Sequence, residues 1–171
     1  LMAGYGLPKE QHLSVVLQNS LELEGYNIKI INGSVSGSTS AGGLNIADWT
    51  LSENNIDLMI LCLGANDMLR GINPKETKNN LEEIIKIAKS KNIKIIIAGM
   101  IAPTSYGFEY KKSFDKIFSD LSKKYKLQLI PFLLEGVAQK PEFNLSDGMH
   151  PNDRGTIIIG NTLKKAILKN L

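Results

Sequence analysis

The chain has 171 residues, enough for one well-buried core and short for two, so it is read as a single domain over 1–171. Apolar residues make up 43% and charged residues 22%, the usage of a soluble globular protein, which excludes a disordered or fibrous chain. Lys and Arg exceed Asp and Glu by 20 to 17, but the lysines are scattered among acidic neighbours; with no basic stripe, nucleic acid is not an expected partner.

The opening, Leu1 to Leu7, reads as a loop that feeds a helix from Pro8 to about Glu24. Pro stands at the favoured first position, Leu13, Val16, Leu17, Leu21 and Leu23 recur at mostly helical spacing, and Gly25 supplies the stop. Tyr26 to Ile31 is short and isoleucine-rich, which predicts a buried strand. It leads into the Gly/Ser-rich run Asn32 to Ser40, either a flexible connection or a turn whose amides face an anion. A helix carrying Leu44, Trp49 and Leu51 is expected from Ala41 to about Ser52. The continuous apolar run Ile56 to Leu63 predicts a strand buried on both faces of a parallel sheet. Its single Cys62 reads as a small core residue, supports no intramolecular disulfide or cysteine metal site, and leaves the redox compartment open.

Beyond the Gly64-Ala65-Asn66-Asp67 turn, Asn73-Pro74-Lys75-Glu76 combines an N-cap, a first-position Pro and a following Glu, and predicts a helix to about Lys91. Ile93 to Ala98 is a third buried strand, followed by a loop through Pro103, Tyr106 and Gly107. A helix from Tyr110 to Tyr125, a short strand from Leu127 to Pro131 and a final helix from Asp153 to Lys169 complete the pattern. Strand and helix alternate, which predicts an α/β domain with a parallel sheet and right-handed crossovers. Ligands of such sheets sit outside the carboxyl ends of the strands, where the Gly/Ser loop, the Gly64–Asn66 turn and the loop after Ala98 fall. No apolar run reaches the length that crosses a bilayer, so stable membrane insertion is not expected.

The densest chemistry lies in Ser146-Asp147-Gly148-Met149-His150-Pro151-Asn152. Asp147 stands three residues before His150, Gly148 lets the backbone turn tightly, and Pro151 disfavours helix at the His. A carboxylate bonded to one ring nitrogen would fix the tautomer and leave the other nitrogen free to take a proton from a nucleophile. The plainer alternative is a capped turn, since Asn152 is a good N-cap for the last helix. His12, the only other His, reads as a surface or packing residue.

Four blocks in order, Leu1-Met2-Ala3-Gly4-Tyr5-Gly6-Leu7, Asn32 to Ser40, Leu63-Gly64-Ala65-Asn66-Asp67 and Asp147-Gly148-Met149-His150-Pro151, resemble those of the SGNH, or GDSL, hydrolases. The likeness is nearest to single-domain bacterial arylesterases, lysophospholipases and acyl-CoA thioesterases, and it extends between the blocks over nearly the whole chain. It implies a three-layer α/β/α, flavodoxin-like fold and a serine esterase acting on carboxylic esters or thioesters through an acyl-enzyme. Asp147 and His150 match the family's triad acid and base, and Gly37 and Asn66 its oxyanion donors. The numbered chain opens at the Leu of the family's Gly-Asp-Ser-Leu block, so the nucleophilic Ser is expected immediately before Leu1, with the first strand of the sheet also upstream. Ala65 departs from the Gly that close relatives often carry in the turn that aims Asn66. The likeness further implies that Met68, Leu69, Pro103, Tyr106 and Phe108 line the acyl side of the cleft; packing within their loops is the equal alternative. No metal or organic cofactor is implied, the partner is a small-molecule ester, and a periplasmic or secreted location is expected, with a cytoplasmic one as the alternative. A carbohydrate O-acetylesterase would share the triad, and a non-catalytic flavodoxin-like module would instead hold an anion on the Gly/Ser loop.

Overall fold

The computed structural model describes residues 1–52 and 55–171. In chain order its helices and strands are α1 (Leu13–Leu23), α2 (Ser40–Thr50), β1 (Leu58–Leu61), α3 (Ala65–Leu69), α4 (Pro74–Ser90), β2 (Lys94–Ala98), α5 (Phe108–Tyr125), β3 (Gln128–Ile130) and α6 (Asp153–Leu168). The chain forms two compact units, one of Leu1–Ser36 with Leu133–Leu171 and one of Gly37–Phe132. No described helix is long and apolar enough to cross a membrane.

The Gly37–Phe132 unit holds a parallel sheet in the order β1-β2-β3, with Met59 opposite Ile95 and Ile97 opposite Leu129. Parallel neighbours cannot be joined by a hairpin and need a crossover. Helix α4 makes the first and α5 the second, and both pack on β2. The start of α4 follows from local chemistry: the Asn73 side chain accepts the Lys75 N–H at 2.9 Å, and Pro74 spends no amide in the first turn. Leu81, Ile84, Ile85 and Ala88 then return at helical spacing and are buried. Ile95 to Ala98 of β2 are buried, whereas Leu58, Met59 and Ile60 of β1 are half-buried. The apolar run predicts burial of β1 on both faces; among the described strands β1 has one neighbour, β2.

The second unit is built on α1 and α6, which pack together. Leu13, Leu17 and Leu21 form the buried stripe of α1; Ile159, Leu163, Ala166 and Ile167 are buried on α6. Each of these leucines and isoleucines contributes about 1.5–3 kcal/mol by leaving water. The helices approach closely at Gly160, where a Cβ would already touch Val16 and Leu13 at 3.6 and 3.7 Å. Lys164 Nζ adds a bond to Ser20 Oγ at 2.8 Å and an ion pair with Glu24 at 2.5 Å.

Three sequence expectations are corrected. The helix expected from Pro8 is interrupted at His12, whose extended backbone (φ −62°, ψ 141°) separates a 3-10 turn at Lys9–Gln11 from α1. Leu23 and Trp49, counted on apolar faces, are 88% and 79% exposed. Tyr26–Ile31 is not a strand. Its backbone is met by one side chain instead of a ladder: Gln18 Nε2 donates to Ile28 O at 2.5 Å, and Gln18 Oε1 accepts the Ile30 N–H at 2.6 Å. β-propensity alone does not make a strand where no neighbouring backbone supplies the bonds.

The crossing from β2 is fixed by Gly99, whose N–H donates to Ile130 O at 2.8 Å. A Cβ there would stand 2.5 Å from the Pro131 carbonyl oxygen and 3.0 Å from that of Ile130, both backbone atoms. Gly99→Ala is therefore expected to destabilise the fold by about 1–3 kcal/mol, the usual cost of overpacking. In urea unfolding this appears as a lower midpoint with an unchanged slope.

Candidate active site

Asp147 and His150 share a loop whose base is closed before either side chain acts. Asn144 is buried and its Nδ2 donates to the carbonyls of Val137 and Lys140, both at 2.8 Å. Asn144 pairs with Pro151 in an antiparallel bridge, and the Leu145 N–H donates to His150 O at 2.7 Å. On the far side Asn152 caps α6 by accepting the Gly155 N–H at 3.0 Å. The capped turn read from the sequence is thus present, and the same residues that close it flank Asp147 and His150.

Within the loop, Asp147 Oδ1 accepts the backbone N–H groups of Met149 and His150 at 2.8 and 2.9 Å. Its Oδ2 lies 2.7 Å from His150 Nδ1. Gly148 adopts φ +69°, a conformation that closes such a turn without Cβ strain. The His150 and Met149 amides and the imidazole together pull the Asp147 carboxyl down to about 2, the His150 N–H being the largest influence. An ionised carboxylate only accepts, so Nδ1 carries a proton and neutral His150 presents a lone pair at Nε2. Tyr5 covers one face of the imidazole, with ring centroids 4.5 Å apart and planes at 37°. His12 is half-buried, with its ring nitrogen 3.0 Å from Leu7 O, a packing role as expected.

In the Gly37–Phe132 unit, the stretches that carry Gly37 and Asn66 are joined by several side-chain bonds. Asn66 Nδ2 donates to Ser38 O at 2.9 Å, and Arg70 Nη2 donates to Gly37 O at 2.9 Å. The intervening grip is Asp67, which is fully buried. It accepts the Ser40 N–H at 2.7 Å, the Ser40 hydroxyl, and the Thr77 hydroxyl at 3.2 Å. Gly64 starts α3 at φ +111°, with Phe118, Thr77 and Phe114 atoms 3.4–3.7 Å from where a Cβ would be. Helix α3 therefore begins as a short turn directly on the sheet end, where the sequence suggests only a bend. Desolvation pushes the Cys62 thiol up to about 11, away from the thiolate form that attacks.

Comparison with known proteins decides the family. A model of the GDSL-like Lipase/Acylhydrolase family matches residues 1–156. The chain belongs to this family. It is 34% identical to an arylesterase of Vibrio mimicus over 171 residues, covering 100% of this chain and 86% of that protein. The solved structure of TesA superposes with a TM-score of 0.94 at 32% identity, over 99% of this chain and 94% of that one. The psychrotrophic esterase EstA from Pseudoalteromonas sp., solved inhibited by monoethylphosphonate, gives 0.93 at 31% identity, over 99% and 92%. The chain is a GDSL-type ester hydrolase with an α/β fold built on a parallel sheet.

Of the remaining residues singled out in the sequence, Met68 and Leu69 end α3, half-buried and 49% exposed. Pro103 is exposed ahead of the turn at Thr104–Tyr106, and Phe108, the first residue of α5, is 73% exposed. Tyr106 stacks on Tyr110 at 5.5 Å, which stacks on Phe114 at 6.1 Å, and the Tyr110 hydroxyl donates to Ile72 O at 2.9 Å. Sequence reasoning missed Asp67, Arg70 and Tyr5 as contributors. Tyr5 and Asp67 stood in blocks already under scrutiny, but Ser40 and Gly37, the partners of Asp67 and Arg70, lie 27 and 33 residues away in the sequence.

The Asp147 shift predicts a pH effect. Its folded value lies below the ordinary 3.8, so its contribution to stability is fully present above the unfolded value and lost as pH falls through about 2. The gap in urea midpoint between the wild type and Asp147→Asn is expected to narrow as pH is lowered from 5 towards 2. A gap that stays constant would show that the carboxylate's bonds do not stabilise the loop.

Proposed function

We propose that this GDSL hydrolase cleaves aryl and acyl esters or thioesters through an acyl-enzyme. In this reading Asp147 and His150 are acid and base, Gly37 and Asn66 are oxyanion donors, and the nucleophile is a Ser directly preceding Leu1. The observation that carries the reading is the Asp147–His150 pair, with a 2.7 Å bond at Nδ1 and a carboxylate held by two further amides. It leaves Nε2 as the basic nitrogen, the state a general base needs.

The chemistry then proceeds in two halves. His150 Nε2 takes the Ser proton as Oγ attacks the carbonyl carbon, and Asp147 stabilises the imidazolium that forms. Negative charge on the carbonyl oxygen is received by the Gly37 N–H and the Asn66 side-chain amide, one such donor being worth about 3–4 kcal/mol in the transition state. Asn66 is suited to this because Ser38 O engages its Nδ2, so the amide cannot rotate freely while its second hydrogen stays available. His150 gives its proton to the leaving oxygen or sulfur, and water enters by the reverse path to release the acid.

For the substrate's apolar part we propose Met68, Leu69, Pro103, Tyr106 and Phe108. Large apolar side chains exposed at Leu69 and Phe108 favour an acyl or aryl group over a sugar.

The test uses the protein with its segment upstream of Leu1. A fluorophosphonate probe is expected to add once, on a Ser directly before Leu1, and His150→Ala is expected to lower kcat/KM on p-nitrophenyl esters by about 10⁴-fold or more. Turnover that survives His150→Ala would refute the assignment. Higher activity on acetylated xylan than on a p-nitrophenyl acyl series would replace the substrate class with carbohydrate O-acetyl esters.

A further inference from the structure

We propose that Asp67 is a positioning residue for the oxyanion donors, acting through Asn66 and the Gly37–Ser38 backbone. The inference rests on the roles proposed above for Gly37 and Asn66. Its physical basis is a ladder between two short stretches of chain. Along α3, residues 66, 67 and 70 engage residues 38, 40 and 37: Asn66 Nδ2 to Ser38 O at 2.9 Å, Asp67 Oδ2 from the Ser40 N–H at 2.7 Å, and Arg70 Nη2 to Gly37 O at 2.9 Å.

These rungs are not equal. Arg70 is exposed and Asn66 half-buried, so water competes for their bonds. Asp67 is fully buried and its carboxylate is bonded to Ser40 twice, once at the N–H and once at the hydroxyl. Charge-assisted bonds away from water are the strong ones. Thr77 Oγ1 adds a third donor at 3.2 Å, and Asn80 Nδ2 donates to Ser40 Oγ at 3.0 Å, so α4 braces the same point. Asp67 thereby locks the first residue of α2 to the first turn of α3. The donors sit on either side of that lock: Asn66 is the adjacent residue on α3, and Gly37 lies three residues before Ser40. An amide that must meet an oxyanion at hydrogen-bond distance loses its effect with displacements of a fraction of an ångström, so a lock at this point is read out in turnover.

The chemistry of the site also names a variant that keeps the fold. In Asp67→Asn the two hydroxyls can rotate to accept the new amide N–H groups, while the Ser40 N–H still finds the amide oxygen. The grip is neutral and weaker, but the Ser40 N–H and both amide hydrogens of the new side chain keep partners.

The experiment is a double-mutant cycle between positions 66 and 67 on p-nitrophenyl butyrate, with the protein carrying its upstream segment and with His150→Ala measured alongside. Asp67→Asn is expected to lower kcat about tenfold with KM within about twofold, the signature of an interaction used in the transition state. In the Asn66→Ala background the same change should cost less than about threefold, because the donor it positions is gone. Ser40→Ala, which removes one grip on Asp67 and leaves α3 untouched, should behave in the same direction. A Asp67→Asn effect of equal size in both backgrounds, or one confined to KM or thermal midpoint, would overturn the inference and leave a purely structural residue. If His150→Ala abolishes turnover and Asn66→Ala lowers kcat while both Asp67→Asn and Ser40→Ala are silent, the positioning role falls and the catalytic assignment stands. An unchanged kcat in Asn66→Ala would overturn the oxyanion assignment, and the positioning role with it.

Discussion

A carboxylate cut off from water has to draw every hydrogen bond from the protein, and Asp67 draws its bonds from Ser40 and Thr77. That requirement organises the Gly37–Phe132 unit around one point. The start of α2, the start of α3 and the first turn of α4 converge there because a misplaced donor would leave a buried charge unmet. Gly64 permits the convergence: any side chain at φ +111° would be strained, and its Cβ would already be in contact with Phe118, Thr77 and Phe114. The aromatic series Tyr106, Tyr110, Phe114 and Phe118 then runs along α5 from the edge of the unit to beneath Gly64. Loop, helix start and core are thus one packed set.

Asp147 solves the opposite problem. It is partly open to water, so its three bonds stabilise a conformation more than they rescue a charge. All three partners lie within three residues, so the loop holds Asp147 against His150 as a local unit. Its support comes from the buried Asn144 amide behind it and from the Asn152 cap beside it. Asn and Asp serve here for the same reason: short side chains that can satisfy nearby backbone without a long, floppy stem.

What the sequence disclosed follows this division between local and distant. The start of α4 at Asn73–Pro74, the cap of α6 at Asn152 and the Asp147–His150 bond are all legible because donor and acceptor lie within a few residues. Asp67 was invisible as an anchor, since Ser40 is 27 residues away and nothing in Asn66-Asp67 marks the second residue as buried. Tyr26–Ile31 misled for the same reason in reverse: its residues suit a strand, but its nearest donor and acceptor turn out to be one glutamine on α1. Periodicity located the face of α1 through Leu13, Leu17 and Leu21 and failed at Leu23, which comes two residues after Leu21 and so lies about 200° round the helix from it.

The Gln18 contact has a consequence for how the molecule breathes. Amide exchange requires the bond to open, and the Ile30 N–H is closed by a side chain rooted in the middle of α1, not by a ladder that could unzip residue by residue. Both bonds pass through one side-chain amide, so a rotation of Gln18 opens the Ile28 carbonyl and the Ile30 amide in the same event, without unwinding α1.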